Sequence, residues 1–400
     1  MNTVNIILFI LLVLAMAVSW YMGYRSQRFF RPSLRYNKDE RDYFIGLNYL
    51  LNDEPDQSVD AFISELEVNS STLESHLALG TLLRRRGKVD SSIAVFQKLL
   101  GDSQFDKDEL NKVKLGLVKS YVAAGLLDRA ERLIDELKIA DLEIQYAALI
   151  QGLTVYQLEK EWLKCVMISN ELLQICPANQ RQSFQLKASH FYCELAEKEI
   201  ELQHYNQARE YLNRAVQMSR TNVRANLLLG RLELALQLYR QAIKVLQKIS
   251  TQDPGFRAEA FDLLVSAFEA SGRDKDLQAY LESCLHESPG SGLILKIVSY
   301  IESKQNRENA RKVLLQQLSI NPSINLLGKA ILLNARADEQ SNAELFNKTL
   351  EQFLNSKPAY QCTNCGFELQ KLHWQCPGCS EWGHVKPLEL QADKATVRQN

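Results

Sequence analysis

Gly46, Gly80, Gly116 and Gly152 recur at steps of 34 to 36 residues, and Pro254, Pro289, Pro322 and Pro358 at steps of 33 to 36. One period runs through most of the chain, which is the mark of stacked supersecondary units rather than of a single compact core. Within the period the pattern predicts a helix pair, with a small residue where the two helices touch and a proline at the exit. It is fullest around Gly230, where Leu229-Gly230 sits on a first helix, Ala242 and Leu246 sit on a second, and Pro254 closes the unit. Ala208, Leu212 and Ala215 repeat the second-helix part, as do Phe62 and Phe96. Gly and Pro are sparse at 17 and 9 of 400 residues, and the long segments are rich in good helix formers. Hydrophobic and charged fractions of 46% and 24% are those of a folded chain, and a net charge of -1 implies no global attraction to nucleic acid or an anionic surface.

These features resemble the tetratricopeptide repeat family over residues 39–357, room for about nine units at ~34 residues each. The resemblance implies an all-α superhelix whose concave face holds partners. Individual units depart from the pattern. Ser58 and Ser92 stand at the usual second-helix alanine position, and Leu126-Leu127 read as a lengthened turn. Cys165, Cys176, Cys193 and Cys284 lie in apolar helical contexts without a paired spacing, so packing is expected of them. His76, His190, His204 and His286 are scattered without metal-ligand spacing. Arg84-Arg85-Arg86-Gly87-Lys88 falls at a helix–helix turn, where a solvated cap is expected and an anionic headgroup is the competing ligand. The sequence has no phosphate-cradling glycine loop, no G-x-S-x-G elbow and no H-E-x-x-H pair.

From Val4 to Met22 no side chain is charged. A run of about 19 residues, at 1.5 Å each, approaches the ~30 Å of a bilayer core. No Lys or Arg precedes it, whereas Arg25, Arg28, Arg31, Arg35 and Lys38 follow. That asymmetry predicts an anchor over residues 1–24, a basic juxtamembrane linker over 25–38, and a cytoplasmic body. Trp20, Tyr21 and Tyr24 suit an interfacial belt, while Ala15-Met16-Ala17 is what a cleaved signal peptide would show instead.

After Lys357 the character changes. Cys362-x2-Cys365 and Cys376-x2-Cys379 form two knuckles ten residues apart. Such turns present paired thiolates to one side, and two of them complete a tetrahedral four-sulfur cage for one structural ion, iron or zinc. Gly366 and Gly378 are expected to supply the backbone freedom the knuckles need. Two disulfides are the alternative, disfavoured in a reducing compartment. With four sulfurs, His373 and His384 have no necessary role as ligands. The metal domain is placed at residues 358–388, followed by a tail over 389–400. So small a unit leans on its metal to fold, and Phe367, Trp374 and Trp382 exceed what its own core needs. They are expected to dock it onto the last repeats. Two lysines, two glutamates and no arginine between Tyr360 and Pro387 are not a phosphate-binding stripe, so nucleic acid is discounted.

The whole chain resembles the lipopolysaccharide assembly protein B family of Gram-negative bacteria, most specifically at its end. There Tyr360-x-Cys362-x2-Cys365-Gly366-Phe367 is followed by Trp374-x-Cys376-Pro377-x-Cys379-x2-Trp382-Gly383 and Lys386-Pro387. The resemblance implies a rubredoxin-like domain with Cys362, Cys365, Cys376 and Cys379 as ligands. It implies a non-enzymatic adaptor in the inner membrane that works with the membrane protease FtsH to promote degradation of the deacetylase LpxC. Other lipopolysaccharide biosynthesis and transport proteins are further implied partners. A general tetratricopeptide docking scaffold for another membrane assembly and a rubredoxin-like electron carrier are the competing functions.

Overall fold

The computed structural model describes residues 72–101, 105–287, 289–304, 306–320, 322–334 and 357–388, with positions 345, 348, 349 and 352. Val4 to Met22 and the arginines after it lie outside the described residues. Among the described residues no helix is long and apolar enough to cross a membrane.

Helices follow one another in the order the period predicts: α1 (Leu73–Arg85), α2 (Val89–Leu100), α3 (Lys107–Ala123), α4 (Leu127–Leu137), α5 (Leu142–Leu158), α6 (Trp162–Ile175), α7 (Ala178–Glu201) and α8 (Tyr205–Met218). They continue with α9 (Val223–Ala235), α10 (Tyr239–Gln247), the short α11 (Ile249–Gln252), a 3-10 turn at Pro254–Phe256, α12 (Arg257–Ala270), α13 (Asp274–His286), α14 (Ser291–Lys304), α15 (Arg307–Ile320) and α16 (Ile324–Asn334). Three short strands, β1 (Tyr360–Cys362), β2 (Glu368–Leu369) and β3 (Val385–Pro387), form an antiparallel sheet in the order β2-β1-β3. By contact the chain divides at Gln151 into two compact units.

In the first unit the glycines mark close approach of helices. A Cβ added at Gly80 would lie 2.6 Å from the Phe96 ring, and one at Gly116 2.3 Å from the same ring. One second-helix aromatic thus fills the space beside two first helices. Ser92, where alanine is usual, is fully buried and satisfied: its hydroxyl donates to the Gly80 carbonyl at 2.7 Å and lies 2.9 Å from the Ser120 hydroxyl. In the second unit Gly230 plays the same part, its missing Cβ replaced by the Leu246 side chain at 2.4 Å.

Among the described residues six intra-pair turns are built alike, three residues each with the middle one in the left-handed region: Gly87, Gly125, Lys160, Gln203, Gln237 and Gly272. Each closes with a pair of backbone bonds, as where Gly125 N donates to Val122 O and Leu126 N to Tyr121 O. This is the Schellman cap, which satisfies the last carbonyls of a helix. The turn at Leu126-Leu127 is therefore not lengthened, contrary to the sequence expectation. Leu126 is the turn's third residue, and Leu127 begins α4. The left-handed conformation is strained for Lys160, Gln203 and Gln237, because their Cβ crowds the backbone. Gln203→Gly is expected to stabilise the chain by about 1 kcal/mol, and Gly125→Ala to destabilise it by a similar amount. Denaturant midpoints measure both, and equal midpoints for the two variants would contradict the strain.

A four-sulfur centre clasped to the repeats

The site begins at β1, which ends on Cys362. The chain then turns so that Gly366 N donates to the Cys362 carbonyl at 2.8 Å, and the second knuckle repeats this with Ser380 N and the Cys376 carbonyl at 2.8 Å. The residue after each second cysteine takes a positive φ, 77° at Gly366 and 58° at Ser380. Backbone freedom is thus required at 366 and 380, not at 378. Gly378 instead lies close against Phe367, where an added Cβ would be 3.0 Å from the ring. The knuckles are tied together by Thr363 N donating to the His384 carbonyl at 2.8 Å.

This backbone brings all four Sγ atoms within 4.8 Å of one another. Cys362 and Cys379 are 3.8 Å apart, and Cys365 and Cys376 are 3.7 Å apart. A tetrahedron with metal–sulfur bonds of about 2.3 Å has edges of about 3.8 Å, so the donor set fits one tetrahedral ion. The Cys379 thiol is held down to about 6 by the Asn364 amide, 3.4 Å from its sulfur, and by the Glu381 N–H. Four thiols this close cannot all ionise without a cation at the centre. The cysteines are therefore positioned to bind one metal ion. Among the described residues no other cluster of His, Cys, Asp or Glu converges in this way. Cys362 and Cys376 are buried, Cys365 is exposed and Cys379 lies between. The other cysteines, Cys165, Cys176, Cys193 and Cys284, are buried in the helical core.

The domain itself has little core. Its buried cluster is Cys362, Cys376 and Val385, with Tyr360, Leu369, Leu372 and Cys379 against it. Its two tryptophans point into the helices. Trp382 is 3% exposed, and its ring meets Trp162 and Phe191 edge-on at 6.1 and 5.7 Å, with His190 at 5.3 Å. Its indole N–H donates to Gln157 Oε1 at 2.9 Å. Trp374 stacks on Phe256 at 5.6 Å. Polar contacts rim the aromatics. Lys187 pairs with Glu381 at 3.0 Å, Lys386 with Asp253 at 2.6 Å, and the Tyr360 hydroxyl donates to Glu259 at 2.6 Å.

Two sequence expectations are corrected here. The domain docks between Gln157 and Glu259, on α5 to α12, and not on the last repeats. Of the three aromatics expected to dock it, Phe367 does not: it is 46% exposed and packs beside Gly378.

His190, passed over in the sequence for want of a partner, lies at the centre of this face. Burial, with Arg224, Lys386 and His384 nearby, pushes its imidazole down to about 3, so it is neutral. Neither ring nitrogen has a hydrogen-bond partner. Nothing in its local sequence carries this role, which arises because Gly383 of the metal domain packs against it, so closely that a Cβ added there would lie 3.1 Å from His190 Nε2. Arg224, 3% exposed, lies 6.0 Å from the Trp382 ring and pairs with Glu194 and Glu197, each at 2.8 Å.

Family models match two stretches of the chain, one in the repeats and one at the metal domain. Residues 199–267 match the tetratricopeptide repeat family, and residues 360–387 match the rubredoxin metal binding domain. Lipopolysaccharide assembly protein B of Escherichia coli K12 is 30% identical over 386 residues, which is 96% of this chain and 98% of that one. The Haemophilus influenzae protein of the same name is 31% identical over 401 residues, again 96% and 98%. Among solved structures, a tetratricopeptide repeat protein from Parabacteroides merdae is similar over 66% of this chain and 99% of its own, with 15% identity and a TM-score of 0.33. The MamA protein is similar over 47% and 96%, with 17% identity and a TM-score of 0.33.

Proposed function

Because this chain belongs to the lipopolysaccharide assembly protein B family, we propose that it is a non-enzymatic inner-membrane adaptor that delivers the deacetylase LpxC to the membrane protease FtsH. The observation that carries the reading is the metal centre. Four sulfurs occupy every tetrahedral position, which leaves no open site for water or substrate. The ion's contribution is to fold a small domain, and that domain grips the repeat array through Trp374, Trp382 and four polar anchors. Such a part holds a surface in shape and does not turn over a substrate. Repeat arrays offer extended surfaces for partners, in keeping with a scaffold in lipopolysaccharide assembly.

In this reading Val4 to Met22 spans the inner membrane, Arg25, Arg28, Arg31 and Arg35 keep the body on the cytoplasmic side, and the bilayer is itself a partner. Tethering confines adaptor and protease to one surface and raises their effective concentration. Depletion of the protein is expected to lengthen the lifetime of LpxC. Expression without residues 1–24 is expected to leave it long, even when the truncated protein is abundant. Full restoration of LpxC turnover by the soluble form at native abundance would reject the tethered adaptor.

A further inference from the structure

The four sulfurs of the cage are not equivalent. Cys362 and Cys376, each 1% exposed, make up the domain's small core together with Val385. Cys365 is exposed and Cys379 half-buried. Their neighbours are open as well, with Asn364 and Phe367 exposed beside Cys365, and Pro377 and Ser380 exposed beside Cys379. A solute reaching the domain from solvent therefore meets two of the cage sulfurs directly.

The other cysteines offer no competing target. Cys165, Cys176, Cys193 and Cys284 are buried among the helices, and burial pushes the Cys165 and Cys193 thiols up to about 12, so these two stay protonated. Oxidants attack the thiolate, and it is the cage that holds cysteines in that form once a cation is bound. Accessibility and reactivity thus coincide at one place.

We propose that Cys365 and Cys379 form an oxidation site for an electrophilic two-electron oxidant of the hypochlorous acid class, and that their oxidation opens the clasp. The Cys365 sulfur bonds to the oxidant's chlorine as the oxygen–chlorine bond breaks, and hydroxide leaves. The Cys379 thiolate, whose sulfur lies within 4.8 Å of the other three, then attacks the Cys365 sulfur. A sulfur–sulfur bond forms and chloride leaves, so the two thiolates give up two electrons and the chlorine gains them. Cys362 and Cys376 alone cannot complete a tetrahedral site. A disulfide across a short loop stabilises far less than a structural ion, so the domain loses its fold and Trp374 and Trp382 leave their seats on Phe256 and Phe191. A thiol reductant with fresh metal reverses the change. The switch is read on the protein itself and does not rest on the client assigned above.

The test treats the full metal-loaded chain with an equimolar amount of hypochlorous acid. Released metal is followed with a chromogenic chelator, and disulfides are mapped by mass spectrometry after free thiols are alkylated. Loss of the metal is expected together with a Cys365–Cys379 disulfide, while the helix cysteines stay reduced. Amide exchange across residues 186–191 and 253–256 should quicken about tenfold or more as the clasp opens. Dithiothreitol with added metal should restore both. Metal that stays bound, disulfides confined to other pairs, or unchanged exchange after the metal has gone would each overturn the proposal. So would release that reductant and metal do not reverse, which would mark it as damage.

Discussion

Replacing Cys362 and Cys376 together by serine is expected to release the metal and unfold residues 358–388 while leaving the helices in place. Those two cysteines are positioned as ligands and are also two of the three buried residues of the domain's core, so the change removes cage and core at once. Structural metal sites of this kind contribute on the order of 10 kcal/mol to folding, far above what three small buried side chains supply. The array has its own core, including Phe256, Phe261, Phe268 and Ile294, all nearly fully buried, and repeat stability comes mainly from neighbouring units. Far-UV circular dichroism should therefore stay helical while metal content falls to nothing. The docking face around Phe191 and Phe256 should become accessible to solvent, seen as faster amide exchange. Full metal occupancy in the double variant would show the four-sulfur assignment to be wrong.

Trp382→Ala should separate the two roles of the domain. The side chain touches no ligand sulfur, so the cage is expected to keep its metal. What it loses is the plug between Trp162, Phe191 and His190 and the bond to Gln157. Truncating a buried tryptophan costs about 3–5 kcal/mol, which exceeds the salt bridges at the rim, each worth about 1 kcal/mol or less. The domain should detach while remaining folded and metal-loaded. Unchanged exchange protection across residues 186–191 and 253–256 would mean that the rim contacts hold the domain without its aromatic anchor.

The repeat plan and the metal cage were legible because both are written locally. A glycine period reports where helices touch, and a pair of Cys-x2-Cys turns reports a cage whatever surrounds it. The clasp was only half legible. Trp374 and Trp382 were surplus to a small core, which signalled docking, but nothing near them in the chain names Gln157, Phe191 or Phe256 as the receiving surface. His190 was illegible for the same reason, since its environment is assembled from other repeats and the metal domain. Ser380 and Gln203 hid their left-handed backbone because that conformation is usually announced by glycine, and the surrounding hydrogen bonds impose it here instead.

Helix α9 is buried at every position from Val223 to Gly230, and the clasp beside it joins residues 225, 194, 133 and 101 positions apart in the chain. Neighbour-to-neighbour helix packing has low contact order and forms quickly, whereas closure over such distances must wait for the helices it joins. The order of folding follows: the repeats assemble first, and the clasp closes last, after synthesis has passed Lys386. Once closed, it ties the helices from Gln157 to Glu259 into one opening unit, so exchange there should be slow and concerted. The helices beyond it, α14 to α16, are left to open separately and at lower free energy, as members of a linear array do.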